Sequence, residues 1–208
     1  MSEKMAPEWK YALQGLRGMN SPPKPVKPAL LVIDMQRYFC DPEGPAYGRD
    51  FELVIEPAQN LIDCFADRGL PVFATKYHSK GGIGPTEKWW GNSLEPDSPW
   101  VDIDPRIKLP NDAQVLGKHL YGTFSATDLD ERLRKIGCDS VVICGVMTDL
   151  CCETTAREAF QLGYTVYFVG DATATSDFML HLSALATLAH GFAYIVTTDD
   201  TIELLGVN

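Results

Sequence analysis

The 208-residue sequence predicts an α/β fold, a three-layer α/β/α sandwich built on a mostly parallel sheet of six strands. Two observations lead there. Short β-rich apolar runs alternate with helical patterns of roughly 10–15 residues along the whole chain, and that alternation gives a parallel sheet covered on both faces. Glycines then close the helical patterns, as Gly69, Gly163 and Gly191 do, before the next apolar run begins.

Taken in order, ALLVID (29–34) is the first strand, bounded by Pro28 and followed by the loop segment DPEGPAYG. A helix over about 52–68 follows, in which Leu53, Pro57, Leu61 and Phe65 recur at four-residue intervals. PVFATKY (71–77) is the second strand. The stretch 78–112 is irregular and rich in Gly, Pro and Trp, and a segment of that length in a compact domain carries short helices or has a function. AQVLGK (113–118) is the third strand and DLDERLRKIG (128–137) a helix with a charged outer face. DSVVICG (139–145), a helix over 151–163, YTVYFVGDA (164–172), a helix over about 177–190 and AYIVTT (193–198) complete the pattern.

Composition narrows the function classes. A hydrophobic fraction of 45% with 22% charged residues describes a globular domain rather than a disordered chain. We divide the sequence into an N-terminal extension over 1–27, with Pro22, Pro23 and Pro25 and no apolar leader, and a domain over 28–208. No apolar run approaches the ~18 residues of a membrane span. A net charge of −10 excludes nucleic acid and anionic membrane as expected partners, because phosphate contacts need clustered Lys and Arg. The six cysteines, at 40, 64, 138, 144, 151 and 152, show no CxxC spacing. That argues against structural zinc and for reduced thiols in the cytoplasm.

The same rim of such a sheet collects the candidate chemistry, since ligands bind beyond the carboxyl ends of parallel strands. Asp34 ends the first strand, Lys118 ends the third, and Cys151 follows the turn after the fourth. A cysteine in the first turn of a helix beginning near Asp149 would face unpaired N–H groups that favour its thiolate. A carboxylate can accept the thiol proton, and a nearby ammonium favours ionised Asp and Cys alike. Each residue also has a plain structural reading: inert thiol, turn-forming Asp, solvated Lys. Cys152 points about 100° away from Cys151 and reads as packing. No thiol–imidazole pair is visible; His78 and His119 lie near the rim, while His181 and His190 read as packing or surface residues of the late helix. No GxGxxG follows the first strand and GGIG (81–84) lacks a following GK[ST], so neither a dinucleotide nor a phosphate loop is expected.

Three segments, LLVIDMQRYF, VLGKHLYGTFSATDLDERLRKIG and VVICGVMTDLCCETTAREAFQLGYTVYFVGDATAT, together resemble the cysteine hydrolase branch of the isochorismatase-like superfamily over roughly residues 28–200. The resemblance implies hydrolysis of an amide-type C–N bond by an Asp–Lys–Cys triad. Cys151 would be the nucleophile, Asp34 the base and Lys118 the cation that orients and polarises the pair. It also implies a cis peptide between Val146 and Met147, an oxyanion hole formed by the N–H groups of Met147 and Cys151, and self-association into dimers or tetramers.

Two departures from the family bear on the substrate. Nicotinamidases of the superfamily hold a zinc with an Asp-x-His pair and a later His, whereas DPEGPAYGRDFELV contains no His. No metal and no cofactor are therefore expected, and nicotinamide is disfavoured. True isochorismatases carry a small residue in place of the Cys, and their second-strand Gln is matched by Tyr77, although Trp90-Gly91 and KHLYGTF look closer to that group. The expected activity is release of ammonia from a small carboxamide or N-carbamoyl compound through a thioester. The alternatives are vinyl ether hydrolysis without a covalent step and a non-catalytic interaction module. Tyr77, Trp89, Trp90 and Phe124 are the expected pocket wall, with Trp89, Trp90 and Trp100 also candidates for an oligomer contact. Arg37, Lys76 and Lys80 are candidate partners for a substrate carboxylate.

Overall fold

The computed structural model describes residues 21–81 and 84–206. Most of the expected N-terminal extension therefore lies outside the described residues. Six strands form one sheet: β1 (Pro28–Ile33), β2 (Val72–Tyr77), β3 (Gln114–Lys118), β4 (Ser140–Val146), β5 (Thr165–Ala174) and β6 (Tyr194–Val196). Their order is β3-β2-β1-β4-β5-β6 and every pairing is parallel. The helices are α1 (Arg37–Cys40), α2 (Ile55–Asp67), α3 (Pro85–Trp90), α4 (Leu129–Lys135), α5 (Glu153–Gln161), α6 (Phe178–Gly191) and α7 (Thr198–Leu204).

The pleat of β1 separates the two helical layers. Leu30 and Val32 pack with Ala58, Leu61 and Phe65 of α2. Leu31 and Ile33 face the other way, against Leu129 and Leu133 of α4, Ala156 of α5 and Leu185 of α6. All six residues of β1 are buried, so the strand reads as a continuous apolar run instead of an alternating one. The three-layer sandwich of the sequence analysis is the observed architecture.

Two local features differ from the sequence reading. The last strand ends at Val196, because Thr197 caps a helix the sequence analysis missed. In TTDD the Thr197 side chain accepts from the Asp200 N–H while the Asp200 carboxylate accepts from the Thr197 N–H, a reciprocal cap that starts α7. Residues 148–152 form a π-helical turn ahead of α5, so Cys151 is not in the first turn of an α-helix. The irregular stretch 78–112 carries short helices as expected, α3 and a 3₁₀ turn at Pro99–Val101.

Strand order places a crevice between β1 and β4. Connections leave toward opposite edges from these two central strands, and their carboxyl ends open where the order reverses. At this point Gly145 has φ +119, and a Cβ there would run into the Ile33 carbonyl, so only glycine lets β4 approach β1 so closely. Val146–Met147 directly after it is a cis peptide.

Candidate active site

Asp34, the first residue beyond β1, has φ +48, a left-handed conformation uncommon outside glycine. Thr75 of β2 over-determines it. The Asp34 N–H donates to Thr75 Oγ1 at 3.0 Å, and the Thr75 hydroxyl donates to Asp34 Oδ1 at 2.6 Å. Asp34 Oδ2 is thereby turned toward Lys118, whose Nζ lies 2.6 Å away. That contact is a charge pairing without hydrogen-bond alignment, since Oδ2 has no aligned donor. Both side chains are fully buried.

Lys118 ends β3, two strands away from Asp34. Its Nζ donates to the Leu120 carbonyl at 3.0 Å and to Cys151 Sγ at 3.2 Å, and it stands 5.5 Å from the centroid of the Tyr77 ring. Burial alone would push this ammonium down, but Asp34 and Cys151 together lift it above the ordinary lysine range. It stays charged. The loop behind it is pinned to α5, where Thr123 N–H donates to Thr155 Oγ1 at 3.2 Å and Phe124 N–H to Glu158 Oε2 at 2.9 Å.

Cys151 completes the cluster from the turn after β4. Burial pushes its thiol up to about 12, Lys118 pulls it down, and Asp34 raises it by charge and as a hydrogen-bond partner. The resting group is therefore a neutral thiol, contrary to the thiolate expected from a helix-start position. The dominant effect is desolvation, which sequence position does not reveal. Cys152, fully buried, is likewise raised well above the ordinary range, by burial first.

A cavity of about 240 Å³ opens above Cys151. Its wall is aromatic: Tyr38, Tyr47, Phe51, Tyr77, Trp90 and Tyr121 all line it. Thr86, Asn92 and Ser176 add neutral polar groups, and no Asp, Glu, Lys, Arg or His contributes to the lining among the described residues. Of the four wall residues expected from sequence, Tyr77 and Trp90 line the cavity. Trp89, on the opposite side of α3, is 80% exposed and does not. Phe124 is buried in the layer beneath, 5.7 Å from the Tyr164 ring. Tyr38, Phe39, Tyr47, Phe51 and Tyr121 were missed; their signal was their place in DMQRYF, DPEGPAYGRDFELV and KHLYGTF beyond the strand ends. A larger concavity of about 750 Å³ lies between α5, α6 and β6, far from the triad.

The candidate carboxylate partners are all engaged elsewhere or exposed. Arg37 pairs with Asp41 at 3.1 Å and stacks over Trp100 at 5.1 Å, and Lys76 pairs with Asp102 at 3.3 Å. Lys80 is exposed. His78 bonds the Ser79 carbonyl at 3.0 Å, and neither it nor His119 lines the cavity. His181 is buried on α6 and bonds Thr148 Oγ1 at 2.9 Å. No group of three or more His, Cys, Asp or Glu converges as a metal site among the described residues. The donor set does not fit a zinc, and no step below is routed through one.

A buried carboxylate, ammonium and thiol in mutual contact at the floor of an open cavity form a catalytic triad of the kind amidohydrolases use. Comparison with known proteins agrees. The family model "Isochorismatase domain" matches residues 28–200. Nicotinamidase 3 of Arabidopsis thaliana is 39% identical over 179 residues, covering 82% of this chain and 85% of its own length. A cysteine hydrolase from Pseudomonas syringae superposes with a TM-score of 0.84 at 27% identity, covering 90% of this chain and 98% of that one. N-carbamoylsarcosine amidase from Thermoplasma acidophilum gives 0.75 at 28% identity, covering 84% and 98%. With its triad, its sheet order and these matches, the chain belongs to the isochorismatase family, in the cysteine hydrolase branch.

Proposed function

We propose that this protein hydrolyses a small, uncharged, planar carboxamide through a thioester on Cys151, releasing ammonia. The observation that carries this reading is the Asp34–Lys118–Cys151 contact at the floor of an aromatic cavity without a charged wall residue. A wall of that kind stabilises a flat apolar ring by stacking and leaves a substrate carboxylate with no partner. It favours carboxamides over N-carbamoyl amino acids, and it counts against isochorismate, which is a dicarboxylate. The 39% identity to a protein named nicotinamidase supports an aromatic amide such as nicotinamide. The sequence argument against nicotinamide rested on the missing zinc ligands alone.

The chemistry follows from the resting protonation. The thiol proton passes to Asp34 as Cys151 Sγ attacks the amide carbon, so no free thiolate has to persist in the buried site. The N–H groups of Met147 and Cys151 hold the developing oxyanion, each donor of this kind contributing about 2.7–4 kcal/mol. Collapse breaks the C–N bond while Asp34 returns the proton to the leaving nitrogen, giving ammonia and a thioester. Asp34 then takes a proton from water as it adds to the thioester, and the acid leaves with the thiol restored. Lys118 keeps its charge throughout, offsetting Asp34 in the resting state and the oxyanion later.

All six cysteines are unpaired, which supports the cytoplasm as the site of action, and among the described residues no helix is long and apolar enough to cross a membrane. The family match beginning at 28 supports reading 28–208 as the catalytic domain and 1–27 as an extension. An ammonia-release assay over nicotinamide, maleamate, ureidoacrylate and N-carbamoyl amino acids tests the proposal. Turnover of nicotinamide alone, a covalent adduct on Cys151 by mass spectrometry, and a loss on the order of 10³-fold or more in Cys151→Ala are expected. Undiminished turnover of isochorismate by Cys151→Ala would instead support the vinyl ether reaction.

A further inference from the structure

Glu87 is a buried carboxylate that the mechanism above does not use. It lies on α3 at 9% exposure and does not line the cavity. Its Oε1 is 3.4 Å from the Tyr77 hydroxyl, and its Oε2 accepts from Thr86 Oγ1 at 3.2 Å; Thr86 Oγ1 in turn accepts from the Tyr77 hydroxyl at 3.0 Å. Burial would raise this carboxyl, but hydrogen bonds from Ser79, its own N–H, Thr86 and the Gly84 N–H outweigh it and hold it below the usual range. Capping of α3 accounts for the bonds to backbone N–H groups. It does not account for three hydroxyls, one of them on the neighbouring strand, converging on one acid.

Tyr77 is the next link. The Gln36 side chain clamps its backbone, accepting from the Tyr77 N–H at 2.7 Å and donating to its carbonyl at 2.9 Å. Across the β2–β3 ladder Tyr77 pairs directly with Lys118, and its ring sits over the Lys118 ammonium. From Lys118 the connection runs on, because Nζ donates to the Leu120 carbonyl and the next residue, Tyr121, accepts from Trp90 Nε1 at 2.8 Å. Trp90 is half exposed at the cavity mouth and ends the same α3 that carries Thr86 and Glu87. The contacts close a ring from the triad lysine, through the mouth, and back.

We infer that Tyr77, tethered by Glu87 and Thr86, is the positioning residue of Lys118, holding its ammonium against Asp34 and Cys151 and linking that hold to the cavity mouth through α3. The ammonium donates to Cys151 and Leu120 and is paired by charge with Asp34, and the face of the ring shields its remaining side from water. Released from its tether, the ring can turn away and admit water. Lys118 then acts on Cys151 through a higher dielectric and in a less defined place.

This inference rests on the reading of Cys151 as the nucleophile, and alkylation by iodoacetamide separates the two. The ionisable groups acting on Cys151 are Asp34 after β1, Tyr77 on β2, Lys118 on β3 and Cys152 on its own turn, while His181 of α6 meets that turn at Thr148 by a hydrogen bond and at Asp149 by charge. The alkylation rate of Cys151 is read by peptide mass spectrometry on the full chain from about pH 6 to pH 10. If wild-type Cys151 does not react, the nucleophile reading fails. If it reacts, Glu87→Ala should slow it roughly tenfold at neutral pH and move the reactive limb to higher pH. Tyr77→Phe should do the same, the double variant should be no slower than either single one, and Glu87→Gln should recover most of the rate because its amide oxygen still accepts from Tyr77. Should Glu87→Ala fail to fold, Thr86→Val removes one hydroxyl of the tether and gives the same reading. A wild-type pH profile in these variants, or effects of Glu87→Ala and Tyr77→Phe that multiply, overturns the inference.

Discussion

At Cys151, burial and charge act in opposite directions. Desolvation raises the thiol to about 12 although Lys118, 3.2 Å away, pulls it down. Lys118→Met removes the pull and leaves the push. We expect the thiol to titrate higher by about 1–3 units, with slower alkylation at neutral pH that recovers in alkaline solution. The substitution also strands Asp34, fully buried, without its counter-charge. Breaking such a pair costs about 3–5 kcal/mol, so a lower denaturation midpoint should accompany the kinetic change. An unchanged alkylation profile would remove Lys118 from the triad.

At the scale of elements, the turn 148–152 is held from outside by α6, whose His181 bonds Thr148 at 2.9 Å. Burial lowers the His181 pKa from 6.5 to about 4, against opposing pulls from Asp149 and Asp50. The unfolded chain therefore takes up this proton first as pH falls, and the fold loses stability between about pH 6.5 and pH 4. Full stability lies above that window, and the total loss is about 3 kcal/mol. Urea unfolding at pH 7 and pH 5 should show wild-type losing about 2 kcal/mol. His181→Gln, which keeps a hydrogen bond to Thr148 but cannot take up a proton, should lose much less. Equal losses in the two proteins would show that another group titrates. The sequence marked His181 only as a packing or surface residue of a late helix, because nothing local says that it faces the turn carrying the nucleophile.

For the molecule as a whole, a fully parallel sheet covered on both faces buries its centre and leaves the apolar excess on the rim and outer helices. Trp89 is 80% exposed on α3, and Met179 is 62% exposed at the start of α6. Large apolar side chains in such positions suit a contact between subunits, as the family resemblance implies. Light scattering on the purified protein should give two or four times the 23.0 kDa of one chain. A monomer at micromolar concentration would leave these surfaces without that explanation.

Sequence by itself determined the place of the strands, the burial of the central ones and, with the family resemblance, the three residues of the triad. Each strand is an apolar run long enough to be recognised locally, and Asp34, Lys118 and Cys151 each stand where such a run or its turn ends. Parallel order then sends those ends to one rim whatever the details of packing. Tertiary structure alone decided the cavity and the electrostatics. Tyr38, Tyr47 and Phe51 come from the connection between β1 and α2 and Tyr121 from the loop after β3, and only the order of the strands brings their rings to one wall. Trp89 and Trp90 are adjacent in sequence, yet the rotation of α3 sends one to solvent and the other to the cavity. The protonation of Cys151 likewise depends on how much water the folded layers exclude from it, a property of the assembled core that no neighbouring residue in the chain encodes.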